Sequence, residues 1–375
     1  MVTGAARAAR EDPGVLRSTD APALVALCLA GIGLLAVTSA AAWGRASRLG
    51  AGDGFEHLRQ HGTFAVLAIG LVILLRRLDP SWLRRIAAPG ALLSVALLAV
   101  LLVPGMPRIN KAHRWLVLGP VNFQPSELSK LLLVVYLADF LDRRARGFPA
   151  ALPRALGLVG LHVLLVALEP DVGTALFLCV LSLTMLAVGG VPLRVLAGLP
   201  LVLLPVAALL LWDRAPHVID RLQAFGDPAR SHQVWQSLLA LGSGGLFGRG
   251  LGGSVQKLAY LPYPDCDFVL AIVGEELGFV GTASVLLLFG AFLVLGLRTV
   301  RRARAPFEGL LALGITFSLG LQAAINIAVV TASVPAKGIP LPFLSKGGSS
   351  LLVSAAAVGL LLSVGRTGRE VRESS

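Results

Sequence analysis

Apolar residues in this chain fill long, uninterrupted runs and do not recur on one face of a helix or alternate as in a strand. Runs near bilayer-spanning length lie at 22–43, 62–78, 86–104, 126–142, 153–169, 171–190, 192–212, 268–297, 307–332 and 341–365. They predict about ten membrane helices, with Pro170 and Pro192 marking tight turns at 169–171 and 190–192. The first run follows Arg7, Arg10 and Arg17 and ends in "SAAAW", the outline of a secretory signal. It is long for such a segment and further spans follow, so a retained helix is the expectation.

Polar positions give this set a direction. Arg76, Arg77, Arg84 and Arg85, then Arg143, Arg144 and Arg146, then Arg301, Arg302 and Arg304, occupy short connections that an even number of spans puts on one side, with the Arg366, Arg369 and Arg372 tail. The excess of arginine makes that side cytoplasmic. The expected fold is therefore an all-α integral membrane protein of about ten helices, with a large extracytoplasmic loop at 213–267 between helices seven and eight. Residues 1–20 and 367–375 form cytoplasmic tails around a membrane domain at 21–366.

Composition sharpens this. Of 375 residues, 55% are hydrophobic and 14% charged, against about 25% charged in soluble domains. A net charge of +12 would suggest nucleic acid in a soluble protein, but here the arginines sit between apolar runs and meet anionic lipid, so no nucleic-acid partner is expected. Three cysteines form no CxxC pair and six histidines no HExxH spacing.

The candidate chemistry lies in "YLPYPDCDFVLAIVGEELGFVG" (260–281), where Asp265, Asp267, Glu275 and Glu276 precede an apolar run. If Leu277 to Leu297 crosses the ~30 Å core, Asp267 stands about 15 Å outside it. Asp267 reads either as a carboxylate favouring a helix N-terminus or as a working base, ionised at the outer surface. Glu275 and Glu276, deeper, read as interhelical pairing.

The predicted external loops are basic as well, with Arg45, Arg48, Arg59, Arg108, Lys111, Arg114, Arg249, Lys257, Lys337 and Lys346. Arginine and lysine around one acidic segment suit a phosphate-bearing ligand beside a base. In "NFQPSELSK", Glu127 and Lys130 lie at i, i+3 and can pair as a capped helix start or face a cavity. In "LEPDVGTA", Asp171 is read as a helix cap beside Glu169. Gly248, Gly250 and Gly253 have GxGxxG spacing without the strand a dinucleotide site needs, so a tight loop over the membrane surface is expected. "IPLPFLSKGGSSLL" re-enters the bilayer through Pro340 and Pro342, where non-helical backbone is tolerated along a cavity. With no nucleotide motif in view, a substrate already activated, such as a lipid-linked sugar diphosphate, fits best.

"RWLVLGPVNFQPSELSK", "EPDVGTA", "WQSLLALGSGGLFGRGLG", "QKLAYLP", "DFVLAIVGEELGFVG" and "PLPFLSKGGSSLL" together resemble the SEDS family (shape, elongation, division, sporulation), which includes FtsW, RodA and SpoVE. The matches run in family order along all but the tails, and "DFVLAIVGEELGF" with "PLPF" leans toward the FtsW and SpoVE branch. The resemblance implies a ten-helix peptidoglycan glycosyltransferase that polymerises lipid II outside the plasma membrane, for cell division or cell shape. It also implies undecaprenyl-linked glycan as a ligand and a class B penicillin-binding protein as partner. The family's aspartate falls on Asp267 of "LPYPDCDF", which the resemblance makes the general base, with inversion and undecaprenyl diphosphate as leaving group. Arg59, Arg114, Glu127 and Lys130 match family positions, and Arg249 and Lys257 are further candidates for substrate binding. A divalent cation between the diphosphate and Asp267 is compatible with this picture, although no dedicated metal spacing occurs.

The chain departs from the family at three places. Tyr263, Asp265 and Cys266 replace Glu, His and Thr; Lys346 replaces a tyrosine; and Lys337 replaces a small polar residue. Two other classes stay open at this point. A lipid II transporter would show inverted repeats and charge at the midplane. A non-catalytic scaffold would only activate its penicillin-binding partner.

Overall fold

A computed structural model describes residues 20–49, 54–105, 114–119, 121–145, 152–198, 225–258, 260–262 and 264–374. Ten α-helices are named here in chain order: α1 (Ala21–Leu49), α2 (Gly54–Arg76), α3 (Leu83–Leu101), α4 (Pro125–Ala145), α5 (Leu152–Leu168), α6 (Val172–Val188), α7 (His232–Ser243), α8 (Val269–Arg301), α9 (Pro306–Val330) and α10 (Gly348–Ser374). Of the expected seventh span, 193–198 are helical and 199–212 lie outside the described residues, as does 213–224 of the expected loop.

The helix boundaries follow local chemistry. Pro306 opens α9, where its missing N–H costs nothing. The Asp171 carboxylate accepts from Thr174 N at 3.1 Å and caps α6, as expected. Five helices (Ala21–Ala40, Pro80–Leu101, Val269–Arg301, Pro306–Val330 and Gly348–Arg369) are long and apolar enough to cross a membrane, and three shorter apolar ones accompany them. The protein is a multi-pass, helical membrane protein. Its exterior carries exposed Val66, Leu67, Leu74, Leu92, Leu93 and Leu287, the inverse of a water-soluble surface. The interior is a packed core of Leu133, Leu137, Leu178, Leu181, Leu311 and Ile315 from α4, α6 and α9.

Two features differ from a purely helical expectation. Leu116–Leu118 (β1) and Val121–Phe123 (β2) form an antiparallel hairpin, Leu118 opposite Val121, turning on Gly119 at φ 63°. The apolar run into "PSELSK" hid it.

The second concerns α8, which is broken at Gly278 (φ 69°, ψ −161°). A break frees the carbonyls of 275 and 276 and the N–H groups of 279 and 280, which a membrane helix cannot leave unpaired. The loop after α7 pairs all four: Arg249 N and Gly250 N donate to Glu275 O and Glu276 O, each at 3.0 Å. In return Phe279 N and Val280 N donate to Gly245 O and Leu246 O, at 2.8 and 3.1 Å. From Phe279 to Arg301 a continuous helix of about 34 Å remains, enough to cross. Asp267 is therefore not carried outward on one straight helix; a separate segment, Val269–Leu277, lies between it and the crossing helix.

The connections expected to be cytoplasmic meet at one end of the bundle. Arg76 pairs with Asp20 at 3.0 Å, Arg304 with Asp79 at 3.2 Å and Glu308 at 2.7 Å, and Arg84 with Asp142. The Arg366 guanidinium reaches Arg77 O at 3.3 Å.

Candidate functional site

A second polar cluster gathers Arg114, the Glu169–Asp171 turn, the acidic turn at 264–267 and the non-helical segment at 339–347, expected from the sequence to be re-entrant. Two side chains one turn apart on α9 hold it. Asn326 Nδ2 donates to Asp267 O at 2.9 Å and to Ile339 O at 2.8 Å. Gln322 Nε2 donates to Pro340 O at 2.9 Å, and its Oε1 accepts from Lys130 Nζ at 2.7 Å. Lys130 also donates to Glu127 Oε1 at 2.7 Å and sits 5.1 Å above the Phe177 ring. Glu127 and Lys130 are thus buried together, and the line Glu127–Lys130–Gln322–Pro340 braces the re-entrant segment from within the bundle. Gln322 and Asn326 were missed in the sequence; the signal available was two amides at i, i+4 inside "LQAAINIA".

Asp267 ends the acidic turn, two residues before α8. Its carboxylate lies against Gly338, where even a methyl group would approach Oδ2 to 3.1 Å. The sequence suggests an ionised group at the outer interface. The structure instead leaves it largely enclosed, and its pKa is pushed up to about 6. Burial is the main cause; Asp171 and Asp265 add to it, while Arg114 opposes it. Such a carboxyl is a base near neutral pH. Burial and the flanking Asp265 and Asp267 push the Cys266 thiol upward, so it stays protonated and is no nucleophile.

Arg114 is anchored on the main chain of the opposite turn. It donates to Pro170 O and, at 3.4 Å, to Glu169 O, with Asp171 Oδ2 3.8 Å from Nε. Glu169 is fully buried, neither carboxyl oxygen has a partner, and burial with Asp171 raises its pKa to about 9. It is therefore a neutral acid at physiological pH. Arg59 is exposed on α2, two positions before His61, which lies within electrostatic reach of Lys346 and Asp265. The cluster thus sets Arg114 beside a half-hidden base, while no contact ties Arg59 to it among the described residues.

The profile of the FtsW/RodA/SpoVE family, described as "Cell cycle protein", matches residues 20–370. The chain belongs to this family. Among curated FtsW/RodA/SpoVE relatives, "Probable peptidoglycan glycosyltransferase FtsW" of Halorhodospira halophila is 42% identical over 329 residues, covering 84% of this chain and 82% of that protein. The protein of the same name from Geobacter sulfurreducens is 37% identical over 320 residues, covering 83% and 86%. Among solved structures, Thermus thermophilus rod shape determining protein RodA is 31% identical with a TM-score of 0.67, covering 92% of this chain and 96% of that one. A chain from the structure described as "Structural coordination of polymerization and crosslinking by a peptidoglycan synthase complex" is 29% identical with a TM-score of 0.73, again covering 92% and 96%.

Within this SEDS chain the two remaining candidates lie on the glycine-rich loop. Arg249 pairs with Glu275 at 3.3 Å, and buried Lys257 pairs with Glu276 at 2.9 Å. Glu275 further accepts from Ser254 Oγ, Val255 N and Gln256 N at 2.5, 3.0 and 3.2 Å. Glu276 accepts from Ser39 Oγ of α1 at 2.6 Å. Glu275 and Glu276 pair as expected of buried acids, but their partners come mainly from the loop. Arg249→Met should cost only about 1 kcal/mol, since Arg249 is 42% exposed and Glu275 keeps its other donors. Thermal unfolding in nanodiscs checks this, with a midpoint change of at most a few degrees.

Proposed function

We propose that this chain is a peptidoglycan glycosyltransferase that polymerises lipid II at the outer face of the plasma membrane. The observation that carries this is Asp267, a largely enclosed carboxyl with a pKa of about 6 facing Arg114. Support comes from the glycosyltransferase names of the FtsW relatives and from the likeness to a chain of a peptidoglycan synthase complex that coordinates polymerisation with crosslinking.

Asp267 accepts the proton of the acceptor sugar's 4-hydroxyl. The freed oxygen attacks C1 of the growing chain from the face opposite the leaving group. The C1–O bond breaks, its electron pair departs with undecaprenyl diphosphate, and the configuration inverts. Arg59 and Arg114 steady the departing diphosphate through fixed charge. Lys130, Arg249 and Lys257 hold internal carboxylates, so their part in substrate binding is indirect: they fix the walls around Asp267. Ten spans, cytoplasmic termini and the 21–366 membrane domain complete the reading, with the arginine-rich end inside and the Asp267 end outside. A class B penicillin-binding protein supplies the crosslinking step.

The test is to incubate purified protein with labelled lipid II, with and without that partner, and resolve products on a gel. Glycan ladders support the enzyme. Movement of lipid II across vesicles without polymer would instead favour a transporter, and no polymer under either condition a scaffold.

A further inference from the structure

Two of the positions at which this chain departs from the SEDS motifs meet each other. Lys346 Nζ donates to Asp265 Oδ2 at 2.8 Å, and Lys346 N donates to Asp265 O, also at 2.8 Å. The lysine stands on a fixed post. Leu341 N donates to Ser345 Oγ at 2.8 Å, Ser345 N to Leu341 O at 3.0 Å, and the segment is tied to α9 through Pro340 and Ile339. It also lies flush on α1, where a side chain at Gly33 would come within 2.5 Å of Leu344 Cα. Asp265 belongs to the same turn that ends in Asp267.

We propose that Asp265 and Lys346 form a positioning pair, docking the acidic turn onto the re-entrant segment and offsetting the charge that Asp265 places beside Asp267. This rests on the reading of Asp267 as the base. The charges facing Asp267 are Arg114, Asp171 and Asp265. Cys266 is its neighbour in the turn, and Lys337 adjoins Gly338, its stem packed over Gly173. His61 of α2 faces the pair itself. With Lys346 removed, the Asp265 charge acts on Asp267 uncompensated and favours its protonated form. With Asp265 neutralised, the opposite follows.

The experiment is the pH–rate profile of lipid II polymerisation by the full chain with its penicillin-binding partner. Lys346→Met should move the acid limb to higher pH and Asp265→Asn to lower pH, each by roughly half to one unit. Lys346→Arg should restore the original limb. A role confined to stability would lower yield or rate without moving the limbs in opposite directions. If Lys346→Met is not recovered folded, the double variant Asp265→Asn/Lys346→Met carries the test: its limb should return from the Asp265→Asn position toward that of the wild type, and a double variant that keeps the Asp265→Asn limb overturns the pair. Unmoved limbs, or limbs moving the same way, while Asp267→Asn is inactive, overturn the pair and leave the base intact. Polymerisation by Asp267→Asn overturns the reading beneath it.

Discussion

Replacing Asp267 with asparagine should reduce lipid II polymerisation by ~10²–10⁴-fold, the contribution of a positioned base, while making the folded protein more stable at pH 8. The two effects share one cause. Enclosure beside Gly338 and the neighbouring Asp171 and Asp265 raise the carboxyl from 3.8 to about 6. Between those values the folded chain keeps a proton that the unfolded chain releases, so stability falls as pH rises through this window. Above about pH 6 the ionised group costs the fold ~3 kcal/mol, the equivalent of two pKa units. Asparagine keeps the shape and removes the charge. The gain in unfolding midpoint should therefore be largest above pH 6 and vanish below pH 4. The wild-type rate should fall as pH drops through 6, because the base is then protonated. Gel assays of polymer across pH, paired with thermal unfolding of both proteins, check the whole set. An Asp267→Asn protein that still builds long glycan would end the assignment.

How far the site could be foreseen depends on what each residue does. The membrane helices were legible because apolar runs of that length suit little besides a bilayer, and the arginine-rich connections do converge on one end. Asp267 and Arg114 were legible through the resemblance of whole motifs, and Asp171 through the capping preference of its position. The enclosure of Asp267 was not. It is made by Gly338 and Asn326, which approach from elements more than fifty residues away in sequence. For Lys130 the spacing offered Glu127 as a partner but not Gln322, and Lys257 looked like a free cation because the sequence shows a charge but not its partner. In the fold, Gln322 and Glu127 claim one and Glu276 and Ser39 the other. Asp265 and Lys346 are alike in this respect, eighty-one positions apart and bonded.

The glycine-rich loop shows the same limit, and it supplies a prediction of large destabilisation. "GRGLGG" has the spacing of a phosphate-binding turn, yet its first glycine, Gly248, serves a close approach of two backbones. Gly248 has φ 79°, and a Cβ there would stand 2.1 Å from Glu276 O and 2.3 Å from Glu276 C. Neither the atom nor the conformation suits a branched L-residue. Gly248→Val should push the loop off α8 and strand the four backbone groups that the Gly278 break exposes, as well as the donors that Glu275 takes from Ser254, Val255 and Gln256. Each buried backbone group left unpaired costs about 1–3 kcal/mol, so the sum exceeds ~5 kcal/mol and the variant should be degraded or recovered only unfolded. Gly250→Ala, where open space surrounds the added methyl, meets only the strain of φ 86° and should cost ~1–2 kcal/mol. Yield of monodisperse protein and unfolding midpoint distinguish the two substitutions. Equal effects at both positions would mean that the loop needs flexible backbone and not the close contact. A well-folded Gly248→Val protein would show that the loop does not seal the break in α8.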